Sequence, residues 1–195
     1  TWIAEGADQA VIFAETMQDA DTGWMVHAYP FGEDQSPDTF WARGNGWVVL
    51  ATHELLRIHR VRGEAPPAAL LDATARLSDA VLAAQDPATG LFWTVLNRPG
   101  DTYLETSSTA LFAYGLARGM RYGWRDPSVR DAVRAAMDGV IANVRDDAEG
   151  RPIVGGISGP TTVGTYDYYA GVPVEDDLPY GLGAVILALT EVSGL

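Results

Sequence analysis

The stretch FWARGNGW, residues 40–47, sets three kinds of side chain close together: indole rings at Trp41 and Trp47, a guanidinium at Arg43, and glycines at 44 and 46. Indole faces stack on the apolar C–H faces of sugars, and a guanidinium offers a carboxylate a planar two-pronged fork that an ammonium does not. Together they suit a sugar acid. Gly44 and Gly46 permit a sharp passage from loop into helix, and Asn45 is the expected N-cap, which clusters Trp41, Arg43 and Trp47 at the helix mouth. The competing reading buries both tryptophans in the core and places Arg43 at a helix C-terminus.

Other residues compete for chemical roles. His27, in MVHAYP, falls in an alternating stretch that reads as a short strand, on the side opposite Val26, where it is either a substrate contact or a satisfied structural residue. His53 and His59 lie within the helix that follows Gly46, and without a third ligand they make no metal site. Glu105 opens ETSSTALFAYGL, an acid followed by hydroxyl residues at a helix start, which suits a cap. Asp176 and Asp177 precede a further helix; neighbouring acids can split their pKa values for acid–base work or simply be solvated. The glycine-rich run at 155–160 lacks the lysine of a phosphate loop and reads as a plain loop. Tyr166, Tyr168 and Tyr169 bring three rings to one loop, as a sugar platform or a packed lid.

The elements that must position these groups are helical. Apolar residues at helical spacing mark six segments, roughly 3–17, 45–60, 67–84, 106–122, 127–144 and 180–193. Asp126 followed by Pro127 gives the fifth segment a cap and a proline at its first position, and Gly123 closes the one before. Beneath these lies a repeat: Gln18-Asp19 leads to Thr22-Gly23, Gln85-Asp86 to Thr89-Gly90, and more weakly Arg145-Asp146 to Gly150. Each copy ends a helix, turns at glycine, runs through a short extended segment (24–28, 91–96, 152–156) and a loop, then enters a more apolar helix. Three stacked helical hairpins fit this pattern, as an open solenoid or as part of a closed toroid with the apolar helices inside. The loops at 24–41, 93–105 and 154–179 then share one mouth.

Composition narrows the partners. The 195 residues suit a single domain, 47% of them hydrophobic, with no run long and apolar enough to span a membrane and no signal-peptide pattern. There is no cysteine, which removes thiolate catalysis, disulfides and thiolate metal sites. The 13 basic residues, every one arginine, face 26 acids for a formal charge of −13, which repels nucleic acid. A negatively charged substrate then needs arginine gathered locally at its site.

HAYP, FWARGNGW, ETSSTALFAYGLARGMRYG and DDLPYGLGAVILAL, in this order across nearly the whole chain, resemble the unsaturated glucuronyl and rhamnogalacturonyl hydrolases of glycoside hydrolase families 88 and 105. The resemblance implies an all-α (α/α)6 toroid, of which residues 1–195 supply about three hairpins, half of the barrel. It also implies action on oligosaccharides with a terminal unsaturated uronic acid, with no cofactor or metal and in the bacterial cytoplasm. In the family a carboxylic acid protonates the C4–C5 double bond, water adds at C5, and the resulting hemiketal collapses to release the following sugar. By motif, His27 is the expected substrate-contacting histidine, and Trp41, Arg43 and Trp47 the wall that holds the uronate. The family's catalytic aspartate precedes the histidine by more residues than this chain supplies; neither Asp8 nor Asp19 stands in its context, so the catalytic residue is unassigned. Half a toroid also exposes an apolar edge at each end, to be covered by further hairpins of a longer protein, by another chain, or by a second copy. A non-catalytic carbohydrate-binding module and a protein-binding solenoid are the alternative functions.

Overall fold

The computed structural model describes residues 1–29 and 38–195; Pro30 of the HAYP motif and the rest of 30–37, in the first mouth loop, lie outside the described residues. Helices α1 (Trp2–Met17), α2 (Ala42–Arg62), α3 (Ala68–Ala83), α4 (Thr106–Arg121), α5 (Arg130–Ala142), α6 (Tyr166–Ala170) and α7 (Pro179–Val192) carry the fold. The short antiparallel pairs are β1 (Phe92–Trp93) with β2 (Leu104–Glu105), β3 (Val144–Asp146) with β4 (Pro152–Val154), and β5 (Ile157–Ser158) with β6 (Val174–Glu175). The three hairpins are α1–α2, α3–α4 and α5–α7.

The inner row is α2, α4 and α7, with α4 in the middle. Every residue from 106 to 117 of α4 is buried, which is why this segment is apolar and small on all sides rather than amphipathic. Close approach of α2 and α4 depends on two glycines. A Cβ on Gly115 would lie 2.3 Å from Val49 Cγ1, and one on Gly119 would lie 2.9 Å from His53 Nε2. Side chains of α2 thus occupy the notch that the glycines leave. At the other ends of these helices, Tyr114 donates to Glu54 (2.7 Å), and Arg118 bridges Glu54 (3.0 Å) and Glu191 (2.7 Å), tying α2, α4 and α7 together.

The repeat has a structural purpose. In the first copy the Gln18 amide donates to Gly23 O (2.9 Å) and to Ala73 O in α3 (3.0 Å); in the second Gln85 donates to Gly90 O (2.8 Å) and to Ala132 O in α5 (2.9 Å). Each glutamine therefore closes its own turn and fastens it to the outer helix of the next hairpin. Asp19 and Asp86 accept from the backbone and hydroxyl of Thr22 and Thr89 within the same turns. Gly90, at φ 74°, lets the turn lie against α5, since a Cβ there would sit 2.0 Å from Ala135 O. The third copy has Arg145 in place of glutamine, and its guanidinium pairs with Asp176.

Several details depart from the sequence expectation. Helix α2 begins at Ala42, with Trp41 as its N-cap residue and no side-chain cap; the amide of Ala42 donates instead to Thr94 O of the next hairpin's loop (2.9 Å). Asn45 is therefore inside the helix, and its buried amide pairs with Met25, accepting from Met25 N (2.8 Å) and donating to Met25 O (3.0 Å). Because that side chain takes both backbone groups of Met25, the expected strand at 24–28 reduces to a single bridge between Gln18 and Met25. The fifth segment starts as a 3-10 turn, Pro127–Val129, capped by Asp126 as expected, and ends at Ala142, before β3. The tyrosine loop contains α6, capped by Thr165.

Candidate functional site

The N-terminal ends of α2, α4 and α7 converge at the mouth, and each brings one part of a single cluster. Trp41 is buried, with its ring 4.5 Å from that of His27 and 6.2 Å from that of Tyr169, nearly parallel to the latter at 13°. His27 Nδ1 and Tyr169 Oη are hydrogen-bonded at 2.7 Å. Burial, and then the positive charge of Arg43, hold the His27 pKa below the ordinary histidine value, which favours a neutral ring. Trp41 Nε1 is buried with no hydrogen-bond partner. The three rings form one wall from three separate parts of the chain.

Arg43 lies beneath this wall. Its guanidinium stacks over Trp41 (5.0 Å) and Tyr180 (4.5 Å). Its fork grips the loop after β5, donating to Ser158 O (2.6 Å), Gly159 O (2.7 Å) and Thr161 Oγ1 (3.2 Å). The side chain is buried, with the carboxylate of Glu105 4.0 Å from Nη1. Arg43 is neither a cap on a helix C-terminus nor an open fork at the surface. It is a fixed cation wedged between two rings and two carbonyls.

Glu105 organises the floor. It caps α4, its Oε1 accepting from Ser107 N (3.1 Å), Ser107 Oγ (2.7 Å) and Ser158 N (2.9 Å), and its Oε2 from Ser108 N (2.5 Å). Ser158 is held from every side: its amide by Glu105, its carbonyl by Arg43 and by Tyr180 Oη (2.9 Å), its hydroxyl by Tyr103 Oη (2.8 Å). A carboxylate with these partners and no exposed surface is built to position backbone, not to exchange a proton with substrate. Asp176 is exposed and paired with Arg145, and Asp177 accepts from Val154 N (2.8 Å) from a left-handed backbone, φ 53°.

Of the residues singled out in the sequence, His27, Trp41 and Arg43 come together and Trp47 does not. Trp47 points away into an apolar groove of about 320 Å3 between α1 and α2, lined also by Phe13, Val48, Ala51 and Leu55. His53 is sealed between α2 and α4 with Nδ1 donating to Val49 O (2.8 Å), and His59 is buried on the same helix. Sequence reasoning left Tyr169 undecided and assigned no role to Tyr180, which lies in the DDLPYGLG motif, or to Ser158. A larger cleft, about 450 Å3, lies elsewhere, between Trp24, Trp93, Asp86 and Pro99, and Asp86 there is committed to its own turn.

This convergence of a histidine, a tryptophan and an arginine on the ends of stacked helices accompanies a match, along residues 1–195, to the family model of Glycosyl Hydrolase Family 88. The chain belongs to glycosyl hydrolase family 88. This family 88 chain is 31% identical over 198 residues to the 24.9 kDa protein in the picA locus of Rhizobium radiobacter, covering 88% of the chain and 83% of that relative. It superposes on the C. acetobutylicum glycoside hydrolase from family 105 with a TM-score of 0.84 at 25% identity, over 97% of this chain and 57% of the other. For a possible member of family 105 from Salmonella enterica the TM-score is 0.85 at 26% identity, over 99% of this chain and 50% of that one. The unsaturated glucuronyl hydrolase of Bacillus sp. GL1 shares the fold, with a TM-score of 0.63 at 20% identity. The chain thus spans about half the length of the solved structures it matches, and its three hairpins are a partial (α/α)6 toroid.

Proposed function

We propose that this family 88 chain supplies the sugar-acid wall of an enzyme that hydrates unsaturated uronyl oligosaccharides left by polysaccharide lyases. The observation that carries the reading is the single cluster of His27, Trp41 and Tyr169 over the buried cation of Arg43. The rings offer a stacking surface for the pyranose, and the buried guanidinium of Arg43, stacked on Trp41 and paired with Glu105 at 4.0 Å, holds that surface fixed beneath the sugar. A neutral His27, already paired with Tyr169, is suited to hydrogen bonding at the sugar and not to carrying a second cation. The reaction is protonation of the C4–C5 double bond, addition of water at C5, and collapse of the hemiketal with release of the next sugar. The acids singled out in the sequence are committed: Glu105 to capping, Asp176 to Arg145, Asp177 to Val154. The proton donor in this proposal is an acid other than these three. The working compartment is the bacterial cytoplasm.

Those committed acids also favour a second reading, a wall that binds the sugar without turning it over. One experiment separates the two. An unsaturated uronyl disaccharide is incubated with the chain while its ultraviolet absorbance is followed, because hydration removes the conjugated double bond. Loss of absorbance that is abolished by Trp41→Ala supports hydrolysis. A flat trace with saturable quenching of tryptophan fluorescence supports binding alone, and a flat trace without quenching refutes both.

A further inference from the structure

The loop between β1 and β2 divides its side chains between two places. Val95 packs with Trp41 and Tyr169 in the wall, and the guanidinium of Arg98 stands 5.8 Å over the ring of Tyr166 beside them. Trp93, Leu96 and Pro99 line instead the cleft of about 450 Å3, whose other sides are the first repeat turn with Trp24, the end of α3, and the second repeat turn with Asp86. The repeat shows what is particular to this place. Gln18 reaches Ala73 as Gln85 reaches Ala132, so Ala80 of α3 corresponds to Gly139 of α5, and Trp24 to Leu91. In the second copy Leu91 lies against α5, where a Cβ on Gly139 would meet its Cγ at 2.9 Å. In the first copy an indole lines the cleft beside Ala80, where an aliphatic side chain serves for packing next door.

The lining states which ligand fits. Two indoles share it with a small apolar surface, Ala80, Ala83 and Ala84, and polar atoms are left over. Asp86 spends Oδ2 on its turn, accepting from Thr89 N (3.0 Å) and Thr89 Oγ1 (2.6 Å), while its Oδ1 has no partner among the described residues. Trp93 is partly exposed, and its Nε1–H likewise has no partner among the described residues. Rings that stack on sugar C–H faces, with a spare donor and a spare acceptor for hydroxyls, are the parts of a carbohydrate site, and the volume is that of a small-molecule pocket. Charge narrows the choice. Asp86 is the only charged residue among the described residues of the lining, and the loop's arginine lies over Tyr166. In a chain of formal charge −13, such a cleft repels a uronate and admits a neutral pyranose.

We propose that this cleft is a second carbohydrate subsite, one that takes neutral pyranose units and is distinct from the wall of His27, Trp41 and Tyr169. Trp93 stacks on the face of the sugar, and Asp86 Oδ1 accepts from its hydroxyls. The inference stands on the lining of the cleft, needs no turnover, and holds whether or not the sugar-acid reading does.

The test is a sugar titration followed by nitrogen–proton NMR, with the indole signals of Trp93 and Trp41 identified by their loss in Trp93→Phe and Trp41→Phe. The probes are cellotriose, maltotriose and β-1,4-galactotriose, each to about 20 mM, which reaches dissociation constants of a few millimolar. Trigalacturonate at low salt is the charged comparison. The expected result is a saturable movement of the Trp93 signal with at least one neutral trisaccharide, and weaker binding of trigalacturonate. Ala83→Met, which fills the cleft from an exposed position, and Trp93→Ala, read through the amides of residues 85–90, should each weaken that binding by about fivefold or more, the scale of one lost ring contact. Circular dichroism checks that both variants keep their helices. A Trp93 signal unmoved by all three neutral sugars overturns the proposal, as does binding unchanged in both variants or trigalacturonate binding at Trp93 as tightly as any neutral sugar. Movement of Trp41 alone, with the neutral sugars or with an unsaturated uronyl disaccharide, overturns it while leaving the wall standing. Movement of Trp93 with a neutral sugar, with Trp41 still for the uronyl disaccharide, upholds the cleft and removes the wall.

Discussion

His53 gives the sharpest quantitative expectation. Its ring is fully buried against Gly115 and Gly119, Nδ1 donates to Val49 O, and Nε2 has no partner. Burial, aided by the nearby charge of Arg125, pushes its pKa from 6.5 down to about 4. Charging this ring in the folded state would desolvate an ion with no acceptor for its second proton. The unfolded chain therefore binds more protons than the folded one between pH 6.5 and about 4. Stability is unaffected by His53 above that window and falls as pH drops through it. A shift of this size corresponds to a full effect on the order of 3 kcal/mol, with roughly 2 kcal/mol of it lost between pH 7 and pH 5. Other groups titrate in the same range, so the measurement is a difference. Urea unfolding of the natural chain and of His53→Gln, which removes the titration, is followed at both pH values. His53→Gln should begin less stable at pH 7 but lose about 2 kcal/mol less on acidification. Equal losses in both proteins would refute the account, and with it the description of His53 as sealed between α2 and α4.

Three further expectations follow from the site and its supports. Arg43→Lys keeps the charge but cannot reproduce the paired donation to Ser158 O and Gly159 O; we expect a loss of about 1.5–3 kcal/mol in urea unfolding and weaker sugar quenching. Glu105→Gln would turn an amide N–H toward the donating amides of Ser107, Ser108 or Ser158, costing on the order of 2–4 kcal/mol; a stability within experimental error of the natural chain would show that the cap is not held as described. Gly115→Ala gains helix propensity of up to about 1 kcal/mol, yet its methyl meets Val49 at 2.3 Å, so a net destabilisation of roughly 1–3 kcal/mol is expected in thermal or urea unfolding.

The helical skeleton was legible because packing periodicity is local. All six expected helices are present with ends shifted by a few residues, and the inner row was foreseen from its small, apolar composition. The errors cluster where a distant group satisfies the backbone. Asn45 looked like a cap, and only the fold shows Thr94 O taking the amide of Ala42 and Met25 taking the Asn45 side chain. The placement of Trp47 follows from that shift. With the helix already running from Ala42, the six-residue step from Trp41 to Trp47 rotates the second indole by about 240°, away from the first. The sequence places Arg43 beside Trp41, but the loop that its fork grips lies more than a hundred residues later, and no local pattern announces such a contact. Tyr169 and Tyr180 belong to that same late region, brought to Trp41 and Arg43 by the third hairpin.

The glutamine fastening has a bearing on how such a chain can change over generations. Gln18 and Gln85 reach across to carbonyls of α3 and α5, not to side chains, so the joint between neighbouring hairpins demands nothing of the residues at 73 and 132 beyond their helical backbone. A connector that recognises main chain alone tolerates drift on its far side. At these two fastenings one partner can diverge without a matching substitution in the other, whereas the Arg118–Glu54 pair and the Gly115–Val49 notch between the first two hairpins bind their residues to change together.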